Sequence, residues 1–251
     1  MVRTIPELTL ASTPDEIAQL QVDAIVEHGK QLGRPVSILE AGCGQCWLID
    51  LSGLSYQLTG IDLDSAALEL RKNKTRDLDV AICGDLCSVY LPEASFDVVY
   101  SSYVLEHVPN ADVALKNFVK WLRPGGLLIL RLPDPTTVRG FFARVLPYKA
   151  HLWFYRYAYG QKQAGQPGHA PYPTFYHPVI GRKQLCSFIA QQGMKCIGCY
   201  GDGYRRDGSN EAIRIVLRGI SKLTSALSFG KLTSDYADLL YIAVKNGSEP
   251  G

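Results

Sequence analysis

The run Val36-Ser37-Ile38-Leu39-Glu40-Ala41-Gly42-Cys43-Gly44 limits what this chain can fold into more than any other stretch. A β-branched and aliphatic segment ends on an acid and breaks into two glycines one residue apart. That pattern predicts a strand, a tight turn and a helix N-terminus, by which α/β proteins offer backbone N–H groups to a nucleotide-like ligand. A dinucleotide site needs a third glycine at the position of Trp47, so that the helix packs closely on the strand beneath a pyrophosphate. Trp47 is the bulkiest residue available, which argues against a nicotinamide cofactor and a dehydrogenase.

With 251 residues and 47% hydrophobic content, the chain can bury one substantial core plus a subdomain. Its net charge of +2 hides an asymmetry. From Pro135 to Gly201 there is no Asp or Glu but there are eight Lys/Arg, while the rest of the chain carries 18 basic and 24 acidic residues. A locally positive surface facing something anionic is expected there. The N-terminus lacks the apolar stretch of a signal peptide, and no apolar run reaches membrane-spanning length. Seven cysteines, an odd number in a chain too large to need staples, favour a reduced, cytoplasmic setting. Cys43-x-x-Cys46 and Cys196-x-x-Cys199 have zinc-like spacing, but the first pair sits inside the ligand turn, so no metal is expected.

Along the chain, Thr13-Pro14-Asp15-Glu16 predicts a helix start, and the helix should reach about Gly33. Gln19 and Gln21 on it are candidates to touch substrate, although a plain surface helix is the simpler expectation. Strands are expected at Val36–Ala41, Tyr56–Asp62, Val80–Leu86 (a strand and its exit), Phe96–Ser102 and Leu127–Leu132. Asp62 ends the second of them 20 residues beyond Gly42, where an acid can accept both ribose hydroxyls of a nucleoside ligand. Asp64 is better suited to capping the helix from Ser65. Asn110 should cap a helix whose Ala111, Leu115, Phe118, Val119 and Leu122 share one face.

Glu40-x-Gly42-x-Gly44, Asp62, Gly84-Asp85-Leu86, Leu105-Glu106-His107-Val108, then a helix and Leu122-Arg123-Pro124-Gly125-Gly126 fall in that order between Ile38 and Pro133. Together they resemble the class I S-adenosylmethionine (SAM) methyltransferases, in particular the group containing ubiquinone and sterol methyltransferases. The chain departs from that pattern at Cys46, where the family usually has a third glycine. The resemblance implies one domain over 1–251: a doubly wound, seven-stranded, mostly parallel Rossmann-like α/β sheet with an antiparallel last strand. A helical segment at 1–34 would precede it, and an aromatic-rich substrate cap at 134–180 would be inserted after the fifth strand. It further implies SAM as cofactor, held by Glu40, Gly42, Cys43, Gly44, Asp62, Leu63, Asp85, Leu86 and Ser102. Asp85 would accept from the adenine amino group while Leu86 packs on the ring; Asp85 would otherwise be a local cap.

Between Phe141 and Tyr176 lie eleven aromatics, punctuated by prolines, with short helices expected near Val138–Leu146 and His151–Tyr159. They either cover a substrate or form a second small core. Beyond them a helix over Leu185–Ile189, a strand at Met194–Tyr200, an amphipathic helix from about Asn210 to Leu227 and a last strand at Asp238–Lys245 complete the domain.

Methyl transfer from a sulfonium is an in-line displacement in which positioning and exclusion of water supply much of the acceleration. A hydroxyl acceptor also benefits from a base titrating near neutrality. His107 follows the fourth expected strand; His177 and His169 lie in the cap; Tyr103 would shape the methyl site; His28 reads as structural. The expected activity is transfer to a small, partly apolar molecule, anionic or lipid-like, with hydroxyl oxygen the default acceptor and carbon the near rival. A catalytically silent SAM-binding module is the alternative of a different class. Membrane-surface contact fits the acid-free aromatic cap, nucleic acid is disfavoured for want of a recognised module, and the oligomeric state is open.

Overall fold

The computed structural model describes residues 6–157, 160–166, 171–203 and 211–247. His169, Tyr159 and Asn210 lie outside the described residues.

In chain order the elements are β1 (Thr9–Leu10), α1 (Pro14–Leu32), β2 (Val36–Ala41), β3 (Tyr56–Asp62) and α2 (Ser65–Glu69), which continues as a π-helical turn over Leu70–Thr75. Next come β4 (Val80–Cys83), β5 (Phe96–Ser102), a 3-10 turn at Leu105–His107, α3 (Ala111–Trp121) and β6 (Leu122–Pro133). The remainder is α4 (Val138–Val145), α5 (Tyr148–Tyr157), a 3-10 turn at Pro178–Ile180, α6 (Arg182–Gln191), β7 (Met194–Asp202), α7 (Glu211–Leu227) and β8 (Asp238–Lys245). The sheet order is β1-β7-β8-β6-β5-β2-β3-β4. β8 runs antiparallel to both β6 and β7, and the other pairs are parallel. Seven strands were expected; the eighth is the two-residue β1, paired at the sheet edge to Tyr200 and Gly201 of β7.

Alternation within the buried strands sends neighbours to opposite faces. Leu39, Ala41 and Val99 join the core under α3 and α6, whereas Ile38, Val98, Tyr100 and Ile129 join the one under α1. β5 is buried from Phe96 to Ser101, as suits a central strand covered on both sides. Helix ends follow local chemistry. Thr13 accepts from the Glu16 N–H (3.2 Å), Gly33 closes α1 at φ +63°, and Asp64 accepts from the Ala66 and Ala67 N–H groups. Asn110 precedes α3 but makes no side-chain cap; its carbonyl takes the Val113 and Ala114 N–H groups instead.

At the end of the strands away from the glycine turn, Asp97 binds three elements together. Its carboxylate accepts from both terminal nitrogens of Arg34 (2.7 Å each) and from the Ser37 N–H (2.9 Å), and pairs with Arg123 at 2.9 Å. Burial pushes Asp97 up, but those donors hold it down to about 2.

The helix expected after Gly44 does not form: from Gln45 to Ser55 the chain is turns and extended loop. Only eleven residues separate Gly44 from β3, and Gly53 among them adopts φ +86°. Trp47 and Ile49 bring aromatic and β-branched character that helices disfavour. Tertiary burial settles the path. Ile49 and Leu51 enter the core, and Trp47 meets Tyr100 edge-on with ring centroids 5.5 Å apart.

Candidate functional site

A cavity of about 740 Å³ opens at the carboxyl ends of β2, β3, β4 and β5, beside the point where strand order reverses between β2 and β5. All nine residues expected to hold the cofactor line it: Glu40, Gly42, Cys43, Gly44, Asp62, Leu63, Asp85, Leu86 and Ser102. The turn at its floor is tightly determined. Gly42 sits at φ +77°, and a Cβ there would lie 2.3 Å from a methyl of Val104. The Gly42 and Cys43 N–H groups both donate to the Ile61 carbonyl (2.8 and 3.0 Å), and the Gly44 N–H donates to Asp62 Oδ2 (2.8 Å).

These bonds decide what the turn can bind. Its three N–H groups are already taken by the protein, and no helix stands behind them to add a positive dipole end. Glu40, Asp62, Asp64 and Asp85 line the cavity, and among the described residues no Lys or Arg does. Such a lining repels a pyrophosphate and suits a neutral sugar joined to cationic groups, as in a sulfonium–ammonium ligand like SAM. Asp62 Oδ1 also accepts from the Asp64 N–H (2.9 Å), which fixes the carboxylate while each oxygen keeps a lone pair. Asp85 Oδ1 accepts from the Cys87 N–H (2.9 Å), so it caps its own turn and still faces the cavity.

Arg71 was not foreseen. Its side chain is fully buried beneath the turn, donating to Glu40 Oε2 (2.6 Å), the Cys43 carbonyl (2.7 Å) and Asp77 Oδ1 (3.1 Å). Burial raises the Glu40 pKa, and the adjacent guanidinium opposes that rise. One guanidinium therefore holds both the strand-end acid and the loop carbonyl. The available signal was Glu40 itself, since an acid at the end of a buried strand needs a partner.

The far wall comes from the stretch after β5 and from the proline-rich return of the chain. Tyr103, Val104, His107, Val108, Tyr172 and Phe175 line it. The Phe175 and Tyr176 N–H groups donate to the Glu106 carbonyl (2.8 and 3.3 Å), strapping that return onto the 3-10 turn. His107 Nδ1 lies 2.7 Å from the Pro173 carbonyl. A carbonyl only accepts, so Nδ1 carries the proton and Nε2 keeps its lone pair. Burial lowers the His107 pKa despite that bond. Next to it Glu106 is buried, with Oε1 3.8 Å from His107 Nε2 and Oε2 unpartnered, and burial pushes its carboxyl up to about 8.

The other candidates divide. Tyr103 reaches the cavity at φ +56°, but its hydroxyl donates to Asp238 Oδ2 (2.9 Å) and burial raises its pKa, so it shapes the wall and takes no proton. His177 is not at the cavity. Its Nδ1 accepts from the Val179 N–H (3.2 Å) and Nε2 faces Asp112 at 3.6 Å, because the 3-10 turn after it uses the imidazole as a cap. Gln21 is buried under Tyr100, whose hydroxyl donates to it (3.1 Å), and Gln19 bonds Asp23 on the surface. Neither lines the cavity. Among the described aromatics between Phe141 and Tyr176 none is fully buried and Tyr148, Trp153, Tyr157, Tyr172 and Phe175 are exposed, and α5 buries no residue, so they form no second core. Among the described residues, no three His, Cys, Asp or Glu could hold a metal together.

Residues 39–130 match the protein family described as "Methyltransferase domain". The chain is 32% identical over 101 residues to a "probable S-adenosylmethionine-dependent methyltransferase" of Mycolicibacterium smegmatis, covering 40% of this chain and 39% of that one. It is 34% identical over 105 residues to the demethylmenaquinone methyltransferase of Staphylococcus haemolyticus, covering 39% and 44%. The chain thus spans about two fifths of the length of these curated relatives. A SAM-dependent methyltransferase structure from Mesorhizobium loti superposes with a TM-score of 0.55 over 91% of this chain and 98% of that one, at 16% identity. The match over 39–130 places that stretch in the family described as a methyltransferase domain, and the sheet order and the carboxylate-lined cavity at the strand ends agree with it.

Proposed function

We propose that the chain transfers a methyl group from SAM to a hydroxyl oxygen on a small, partly apolar acceptor. The observation that carries the reading is one continuous cavity with carboxylates at one end and the rings of Tyr103, His107, Tyr172 and Phe175 at the other. In this reading Asp62 accepts from the ribose hydroxyls, Asp85 from the adenine amino group, and Glu40, steadied by Arg71, faces the cationic methionine portion. When bound, SAM supplies an electrophilic methyl group on sulfur. Residues 134–180 are the acceptor's cover, with Tyr172 and Phe175 excluding water from the reacting end. His107 Nε2 takes the hydroxyl proton as the acceptor oxygen is methylated, and the Pro173 carbonyl holds the ring in the tautomer that leaves this nitrogen free. A reduced quinone, whose hydroquinone form carries the hydroxyl this step needs, is one candidate acceptor, given the quinone in the name of the staphylococcal relative.

The test pairs SAM-binding calorimetry with mass spectrometry of an acceptor panel of phenols, hydroxyquinones and lipid alcohols. Binding together with a product heavier by one methylene supports the reading; donor binding without turnover on any panel member overturns catalysis. His107→Ala should lower kcat by about 100-fold while leaving donor affinity unchanged. Because burial lowers the His107 pKa, the acidic limb of the rate profile should fall below the ordinary histidine range. A product methylated on carbon, with full turnover in His107→Ala, would move the acceptor atom and remove the base.

A further inference from the structure

Helix α7 is turned inside out. Its Leu217, Ser221, Thr224 and Ser225 are half-buried, and the Ser225 hydroxyl donates to the Leu232 carbonyl (2.8 Å). The opposite side carries Val216, Ile220, Leu223 and Leu227, spaced as one helical stripe, and all four are exposed, Leu223 by 62%. Ile215 flanks the stripe, and Phe229, 92% exposed, extends it past the helix end. The α4 helix packs against α7 and ends in exposed Val145 and Leu146. An amphipathic helix that shows its apolar face to solvent needs something to cover it.

Charge indicates what does. Arg218 and Lys222 stand exposed on the flank of the helix beyond Ile215, and from Ala212 to Ser234 the sequence has no Asp or Glu. The chain from Pro135 to Gly201, which holds α4, is likewise free of acids. A two-fold contact with a second copy would bring both sets of cations to one rim, with no acid on the helix beyond its first residue, Glu211, to meet them. An anionic lipid surface answers both features, burying the apolar side chains at the acyl boundary and placing the cations among the headgroups. Among the described residues no helix is long and apolar enough to cross a membrane, so the contact lies in the plane of the surface.

We propose that the outward face of α7 is a membrane-docking surface that seats this protein on anionic bilayers. The proposal stands apart from the methyl-transfer reading, because none of these residues lines the cavity. Co-sedimentation of the full chain with phosphatidylcholine vesicles, with and without a phosphatidylglycerol fraction, tests it. Binding is expected on the anionic vesicles and should weaken with salt. The double variant Ile220→Asp/Leu223→Asp should lower the partition by more than about ten-fold. Arg218→Ser/Lys222→Ser should lower it by about five-fold per cation. All four side chains are exposed, so both variants should keep the wild-type circular dichroism, melting temperature and donor affinity. Equal recovery with and without anionic vesicles overturns the proposal. So does a monomer–dimer equilibrium in sedimentation velocity that the acidic double variant abolishes while vesicles never bind.

Discussion

The floor of the cavity and the outer surface formed by α5, the Tyr172–Phe175 return and α7 keep their side chains in opposite places. Below the glycine turn, charges are inside and answered: Arg71 is fully buried between Glu40, Asp77 and the Cys43 carbonyl, and Asp62 spends both oxygens on backbone N–H groups. On α5, at Tyr172 and Phe175 and on α7, apolar side chains are outside, as at Trp153, Tyr157, Ile220 and Leu223. The first region has its geometry before any ligand arrives, as differential binding of a transition state requires. The second has surface whose free energy is lowered only when something lies against it. Preorganisation and adaptability are thus divided between two parts of one chain.

The largest test removes the buried cation. Arg71→Met leaves Glu40 uncompensated in the core and should cost about 3–5 kcal/mol in chemical denaturation, with part recovered in Arg71→Met/Glu40→Gln. Loss of less than about 1 kcal/mol would mean the floor is not fixed as argued. Next, Asp62→Ala should weaken binding of S-adenosylhomocysteine by about 10–100-fold in calorimetry, since it removes charge-assisted hydrogen bonds to the sugar. On the adaptable side, Phe175→Ala should raise the acceptor KM about ten-fold and leave donor affinity alone. A matching loss of donor affinity would join the two regions into one unit.

The smallest effect is a pH dependence. Asp97 titrates at about 2 in the folded protein, below its value of 3.8 in an open chain. Its contribution is therefore complete above about pH 4 and is lost as the pH falls toward 2, by about 1 kcal/mol given the part-exposed Arg34. Acid should loosen the far end of β5 and the α1 terminus before the acid-free stretch from Pro135 to Gly201, as hydrogen exchange would report.

Much of the first region was legible because short-range chemistry dictates it. Apolar runs gave β2, β3, β5, β6 and β8, and Thr13, Gly33 and Asp64 marked helix ends where they occur. All nine expected cofactor residues converge on one cavity. What escaped depends on contacts distant in sequence. Arg71, in a stretch of cations that looks like a solvated helix end, travels 31 positions back to Glu40. Periodicity identifies α7 as amphipathic but not which face is turned inward. His177 resembles a cap ligand in sequence, yet its imidazole is consumed by the turn that follows it.

The absent helix after Gly44 has a practical consequence. Between Gln45 and Ser55 the rim of the cavity is anchored by buried side chains such as Ile49 and Leu51, with no ladder of main-chain bonds running along it. Its amides should trade deuterium far faster than those of the flanking strands. Gln45, Cys46 and Leu48 face the cavity, so occupancy by a donor should slow that trade, making this short stretch a built-in reporter of whether the pocket is filled.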